Sequence, residues 1–236
     1  MPKFIVIEGS NGSGKQSQAT MLTQYFKNLG YKAIMISFPN YDNEGCAPVK
    51  MYLSGAFGVD ALDMDAYQSS VLFAVDRLTT LKSINLDEFD FVVFDRYTHS
   101  NLIHQANKIQ DEKQINDFLK YWIDFEFIKL KLPQADVVCY INMPYETSKM
   151  LIENRQLKFG EEKDIEERDE QLEKRARETG LMVANKLGWK VIDCVINDRL
   201  LSKEEIHQDI VNRVVSNLNR PERKRRKPNK NKKVKF

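Results

Sequence analysis

From Gly9 to Lys15 the chain reads GSNGSGK, and this fits the spacing G-x-x-x-x-G-K. In that spacing the backbone N–H groups can turn toward one anion, the following helix adds its positive end, and the lysine reaches the β- and γ-phosphates of a nucleotide. Gly9, Ser10, Asn11, Gly12, Ser13, Gly14, Lys15, Gln16 and Ser17 are therefore the candidate phosphate loop. Its eighth position is Gln16 rather than Ser or Thr, so the expected hydroxyl ligand for magnesium is missing there, and Ser17 follows one residue late. A second candidate is Asp95-Arg96-Tyr97, which closes the apolar run Phe91–Phe94. An aspartate there can hold magnesium directly or through water, and the arginine offers a fork to a phosphate. Phe73 and Arg77, four residues apart, share one helix face. On the residues alone that pair reads as a core aromatic beside a solvated charge. Arg155, Lys158 and Lys163 surround Gly160 in a charged span reaching Glu178. It reads either as a solvated loop and helix or as a lid that closes cations over a phosphoryl group.

Elements of a parallel α/β sheet must position these residues. Phe4–Ile7, Ala33–Ser37, Phe91–Phe94, Ala135–Ile141 and Lys190–Asp193 are short apolar strands. Helical patterns run between them: Gln18–Leu29, with apolar residues at 21, 22, 25, 26 and 29, then a short helix at Ala47–Leu53 and a longer one from Asp65 to about Ile84. A single helical stretch is expected over Ser100–Leu132, ended by Pro133, with Tyr121, Trp122, Phe125 and Phe127 as core or subunit interface. Helix resumes at Met143–Arg155, and Ile206, Ile210, Val214 and Leu218 mark a last amphipathic one. Strands alternating with helices imply a parallel five-stranded sheet with helices on both faces, and ligands bind such sheets at the carboxyl ends of the strands.

With 236 residues the chain needs only one α/β domain, expected over residues 1–219 with a lid at about 155–168. The net charge of +2 hides a split: residues 220–236 carry ten Lys or Arg against Glu222, a local +9, which leaves −7 on the preceding body. That tail has no apolar period and is expected to be disordered, as a solubilising segment, a nucleic-acid contact or a nuclear import signal. Cys46, Cys139 and Cys194 are too scattered for a disulfide framework or a C-x-x-C metal knuckle. The start has no secretory pattern and no apolar run approaches the ~18 residues of a membrane span. The expected place is cytoplasmic, or nuclear in a host that has a nucleus.

Taken together, FIVIEGSNGSGKQSQ, FPNY after the second strand, LFAVDR on the long helix, FDRYTHSNLIHQ after the third strand, LPQADVVCYINMP and the charged lid occur in an order that resembles the thymidylate (dTMP) kinases of the P-loop nucleoside-monophosphate kinase class. FPNY with DRYTHSN and IHQ looks most like a Firmicute or phage branch. The resemblance implies γ-phosphoryl transfer from ATP to dTMP with Mg2+, and a homodimer. It implies catalytic roles for Lys15, Asp95, Arg96 and Arg155, with Asp95 as the metal ligand. It assigns Phe73 to stacking on thymine and Arg77 to the base edge, with Phe38 and Pro39 shaping the acceptor pocket and Arg96, Ser100, Asn101 and Gln105 lining it. The chain departs from the family where Asn11 stands for the usual acid, Gln16 for Ser or Thr, Tyr41 for an arginine, and Asp164-Ile165-Glu166-Glu167 for a lid segment carrying arginine. A kinase for another deoxynucleotide or deoxynucleoside, or a non-catalytic nucleotide-binding relative, is the alternative.

Overall fold

In the computed structural model, residues 1–159 and 164–219 are described, the side chains of Arg155, Lys158 and Phe159 excepted. Strands β1 (Lys3–Gly9), β2 (Ala33–Ser37), β3 (Phe91–Asp95), β4 (Val137–Asn142) and β5 (Lys190–Asp193) form a sheet in the order β2-β3-β1-β4-β5. All neighbours are parallel. Apolar runs without alternation suit a sheet covered on both faces. Ile5, Ile7, Val93, Cys139 and Ile141 point to one side, under α1 (Lys15–Asn28) and α9 (Lys203–Leu218). Phe4, Val6, Val92, Phe94 and Val138 point to the other, where Tyr97, Leu81 and Leu132 cover them.

Register decides what the strand ends present. Asp95 pairs with Ile7 of β1 and with Ser37 of β2. The phosphate loop, the Phe38-Pro39 turn with its cis peptide bond and the Asp95-Arg96 step therefore leave the sheet side by side. Over them lie α2 (Ala47–Leu53) and α3 (Ala66–Lys82), then α6 (Tyr145–Phe159), α7 (Ile165–Arg168) and α8 (Glu170–Leu187). Helix α3 starts where expected because the Asp65 carboxylate accepts from the Tyr67 and Gln68 N–H groups while Gln68 reaches back, a full capping box.

The single helix expected over Ser100–Leu132 is broken. It comprises α4 (Thr98–Ser100), a π-helical turn at Asn101–Gln105, a 3₁₀ turn at Ala106–Lys108, α5 (Glu112–Ile123) and a second π-helical turn at Asp124–Lys129. The break falls at Ile109–Asp111, where the Asp111 side chain accepts from Gln114 N and starts α5 afresh. A small hairpin, β6 (Val195–Ile196) and β7 (Arg199–Leu200), was also not foreseen. No helix among the described residues is long and apolar enough to cross a membrane. The tail from Arg220, with Lys163 and the side chains of Arg155 and Lys158, lies outside the described residues.

Candidate active site

A cleft of about 960 Å³ opens at the carboxyl ends of β1, β2 and β3. The loop after β1 begins it. Gly12 holds φ 70° and Gly14 holds φ 84°, in the left-handed region that favours glycine. A Cβ on Gly12 would stand 2.6 Å from the Ser148 carbonyl of α6, so only glycine lets that helix close on the loop. Asn11, Gly12, Gly14, Lys15, Gln16 and Ser17 line the cleft. Gly9, Ser10 and Ser13 do not line it; Ser10 and Ser13 are buried behind it, and Ser10 supplies the carbonyl that receives Lys15 Nζ at 2.6 Å.

Lys15 is buried, and among the described residues no carboxylate lies within ion-pair distance of it. Burial, and next the Arg96 charge, push its ammonium down to about 7. Arg96 adopts φ 62°, and its guanidinium donates to Asn11 Oδ1 and, at 2.9 Å, to His104 Nε2. Arginine only donates, so His104 Nε2 accepts. Burial and the Arg96 charge hold His104 well below its ordinary value, which keeps it neutral. Two cations thus face one cleft while bonded to neutral groups, an arrangement an anion completes.

Beneath Arg96 sits a residue the sequence reading passed over. Glu8 of β1 is wholly buried and accepts from Tyr97 N at 2.9 Å and from Ser100 Oγ at 2.9–3.0 Å. Burial raises its carboxyl to about 6, against the pull of Arg96. Its bonds pin the peptide just after the left-handed Arg96. An acid inside an otherwise apolar strand, FIVIEG, was the available signal. Glu173 of α8 was missed as well: it accepts from Asn11 Nδ2 at 2.7 Å, and burial raises it to about 7.

On the other side of the cleft the expected residues assemble with corrections. Phe38 and Pro39 both line the cleft, Phe38 from the core with its ring 5.9 Å from that of Tyr97. Phe73 lines the cleft, edge-on to Tyr52. Arg77 is no solvated charge: it is 1% exposed, and its Nε and Nη2 both bond the Glu126 carboxylate at 2.7 Å. Glu126 also receives Thr98 Oγ1 and Asn101 Nδ2. Its place inside the aromatic run YWIDFEF was the overlooked sign of a buried partner. Ser100 Oγ points to Glu8, and Asn101 is buried with its amide donating to Ser70 O and Glu126. Gln105 accepts from Ser69 Oγ and donates to Glu166 Oε1 at 2.8 Å. The lid segment therefore contributes carboxylates here: Asp164, Glu166 and Glu167 all line the cleft, and burial with the two neighbouring glutamates raises Asp164 to about 7.

The thymidylate kinase family model matches residues 7–210. The chain belongs to the thymidylate kinase family. Family members similar to it include the "Probable thymidylate kinase" of Thermococcus onnurineus, 29% identical over 213 residues that cover 88% of this chain and 95% of that one. The thymidylate kinase of Mycobacterium tuberculosis H37Rv is 29% identical over 193 residues, 79% of this chain and 87% of its own. The solved thymidylate kinase of Candida albicans shares the fold with a TM-score of 0.65 and 19% identity, over 92% of this chain and 93% of that one. The Firmicute or phage branch expected from FPNY and DRYTHSN finds no support: the Thermococcus and Pyrococcus relatives, similar over 88% of this chain, are archaeal.

Proposed function

We propose that this thymidylate kinase family member transfers the γ-phosphoryl group of ATP to dTMP through the single cleft described above. The observation that carries the reading is a pair of cations, the buried Lys15 at the start of α1 and the half-buried Arg96 just after β3, that line one cleft with no ion-pair partner among the described residues. One belongs to a phosphate loop and the other lines the same cleft as Phe73 and Arg77, so donor and acceptor phosphates meet between them. An acceptor phosphate oxygen bonds to Pγ while the bond from Pγ to the β,γ-bridging oxygen breaks, leaving ADP and dTDP. Such transfer depends on alignment and charge neutralisation more than on covalent help from the protein. Lys15 neutralises the donor β- and γ-oxygens, and Arg96, held by Asn11 and His104, orients the acceptor phosphate. Arg155, from its place on α6, is the expected further cation.

The donor set fits magnesium. Asp95, Gln16 and Ser17 all line the cleft, and no group of three or more His, Cys, Asp or Glu among the described residues forms a metal cage. Magnesium bound to nucleotide phosphates takes one or two carboxylates and keeps several waters. Asp95 would hold it, directly or through water, with Gln16 or Ser17 beside it. When bound, the ion neutralises charge on the β- and γ-oxygens.

Residues 1–219 form the catalytic unit, with residues 155–168 as its lid and 220–236 as a basic appendage outside catalysis, whose ten basic residues suit a solubilising or a nucleic-acid-contacting role. A homodimer through α3 is supported by Tyr67, Val71 and Val75, an exposed stripe at four-residue spacing beside the exposed Tyr121 of α5. The proposed compartment is the cytoplasm. A coupled ADP-release assay with ATP, magnesium and dTMP, dUMP, dCMP, dGMP or thymidine tests the reading. Turnover on dTMP is expected; none on any acceptor would refute the kinase, and a preference for thymidine would refute the monophosphate acceptor. Arg96→Ala should weaken dTMP binding by about 1.5–3 kcal/mol with a smaller effect on ATP, and equal losses would remove its acceptor role.

A further inference from the structure

Helix α7 sends Glu166 into the acceptor half of the cleft, and its two oxygens are used unequally. Oε1 accepts from the Tyr52 hydroxyl at 2.9 Å and from Gln105 Nε2 at 2.8 Å. Lys108 Nζ donates to the Tyr52 oxygen at 2.9 Å, so the Tyr52 hydrogen is left for Glu166. Oε2 carries no hydrogen bond among the described residues. The turn is anchored from below by Ile165, buried with Tyr52, Ala61 and Leu172 and packed against Phe73. Glu166 is therefore a held carboxylate with one spare acceptor oxygen, lining the same cleft as Phe73 and Arg77.

Arg77 is the complementary group. With Nε and Nη2 committed to Glu126, its Nη1 is the nitrogen that has no hydrogen bond among the described residues. The wall thus offers a donor from Arg77 and an acceptor from Glu166. A pyrimidine with a ring carbonyl next to a ring N–H, as in thymine and uracil, satisfies both. Cytosine presents the reverse, an amino group beside a bare ring nitrogen, and would set donor against donor and lone pair against carboxylate. Resting on the dTMP kinase reading above, we propose that Glu166 is a specificity-determining residue that accepts from the pyrimidine ring N–H and excludes cytosine nucleotides. A site that hydrogen-bonds such a group rejects an analogue that leaves its polar groups unpaired far more strongly than a site reading shape alone.

The test compares wild type, Glu166→Gln and Tyr52→Phe with dTMP, dUMP and dCMP at saturating ATP. Glu166→Gln can donate as well as accept, so the dTMP-to-dCMP ratio of kcat/KM should fall roughly tenfold or more. The dTMP-to-dUMP ratio should stay unchanged, because the two bases share this edge, and KM for ATP should move less than about twofold. Tyr52→Phe, which frees Oε1 of one of its two holders, should lower the dTMP-to-dCMP ratio by less. An unchanged ratio in Glu166→Gln, or equal losses on all three acceptors together with a raised KM for ATP, would overturn the inference. Were that variant not to fold by circular dichroism, an unchanged ratio in Tyr52→Phe would overturn it. Absence of turnover by wild type on every acceptor would overturn the dTMP kinase reading and this inference with it, whereas dTMP turnover with unmoved ratios sinks only the inference.

Discussion

In the proposed mechanism a single residue, Lys15, couples the donor site to pH. Burial has lowered its ammonium to about 7, so above that pH the free site is increasingly neutral. Donor phosphates stabilise the charged form and must raise this value on binding. Affinity for ATP should therefore be greatest below about pH 7 as far as Lys15 is concerned, and should decline as pH rises through 7 to 8. Binding at pH 8 should take up close to one proton, seen by calorimetry in buffers of different ionisation enthalpy; no uptake at pH 8 would count against the lowered value. The carboxyls of Glu173 and Asp164, raised to about 7, work in the same direction, because their negative forms accumulate over the same range and repel phosphate. Folding follows the opposite sign for Lys15: the unfolded chain binds more protons between pH 7 and 10.5, so its burial costs least at the alkaline end.

At the scale of elements, the π-helical turn at Asp124–Lys129 brings Glu126 inward against α3 and makes the Arg77 wall possible. The pair is buried on both sides, at 2% and 0% exposure of the side chains. Removing one partner from such a pair leaves an uncompensated buried charge. Glu126→Ala should cost about 3–5 kcal/mol in denaturant unfolding. Glu126→Gln, which keeps the volume and one acceptor oxygen but loses the charge and sets its amide N–H against an Arg77 nitrogen, should cost less than the alanine, and equal losses would argue that charge rather than packing matters. The phosphate loop is an element-level feature too: Gly12→Ala forces a Cβ to within 2.6 Å of the Ser148 carbonyl at a left-handed φ. It should open the α6 contact and lower ATP affinity by equilibrium titration, with dTMP binding less affected.

For the whole molecule, the charge split and the exposed stripe on α3 make separate predictions. Val71→Asp placed in the stripe should convert a dimer to monomers in sedimentation velocity, since it buries an unpaired carboxylate in the proposed interface. A monomeric wild type would refute the interface. Truncation after Asn219 should leave kcat and KM unchanged while removing the salt-sensitive retention on DNA expected of ten basic residues. A large loss of turnover would make the tail part of the catalytic unit.

Much of this protein was legible in its sequence because the relevant signals are local. An apolar run, three glycines and a lysine specify strand, loop and helix start within 14 residues, Phe4–Ser17. Asp65 and Gln68 likewise specify a helix start through their own backbone. A parallel sheet, with Lys15, Asp95 and Arg96 just beyond the carboxyl ends of its strands, then follows from alternating elements, whereas the order β2-β3-β1-β4-β5 came only with the structure. What sequence spacing could not reveal are partners set by separation across the chain: Arg77 with Glu126, Asn11 with Glu173, Glu8 under Arg96, and Glu166 on Gln105. A buried charge is stable only beside its counterpart or its hydrogen-bond donors. Which distant residue supplies them is decided by register and helix packing, so only the tertiary structure turns a lone Phe73–Arg77 pair into a cleft wall fixed by Glu126.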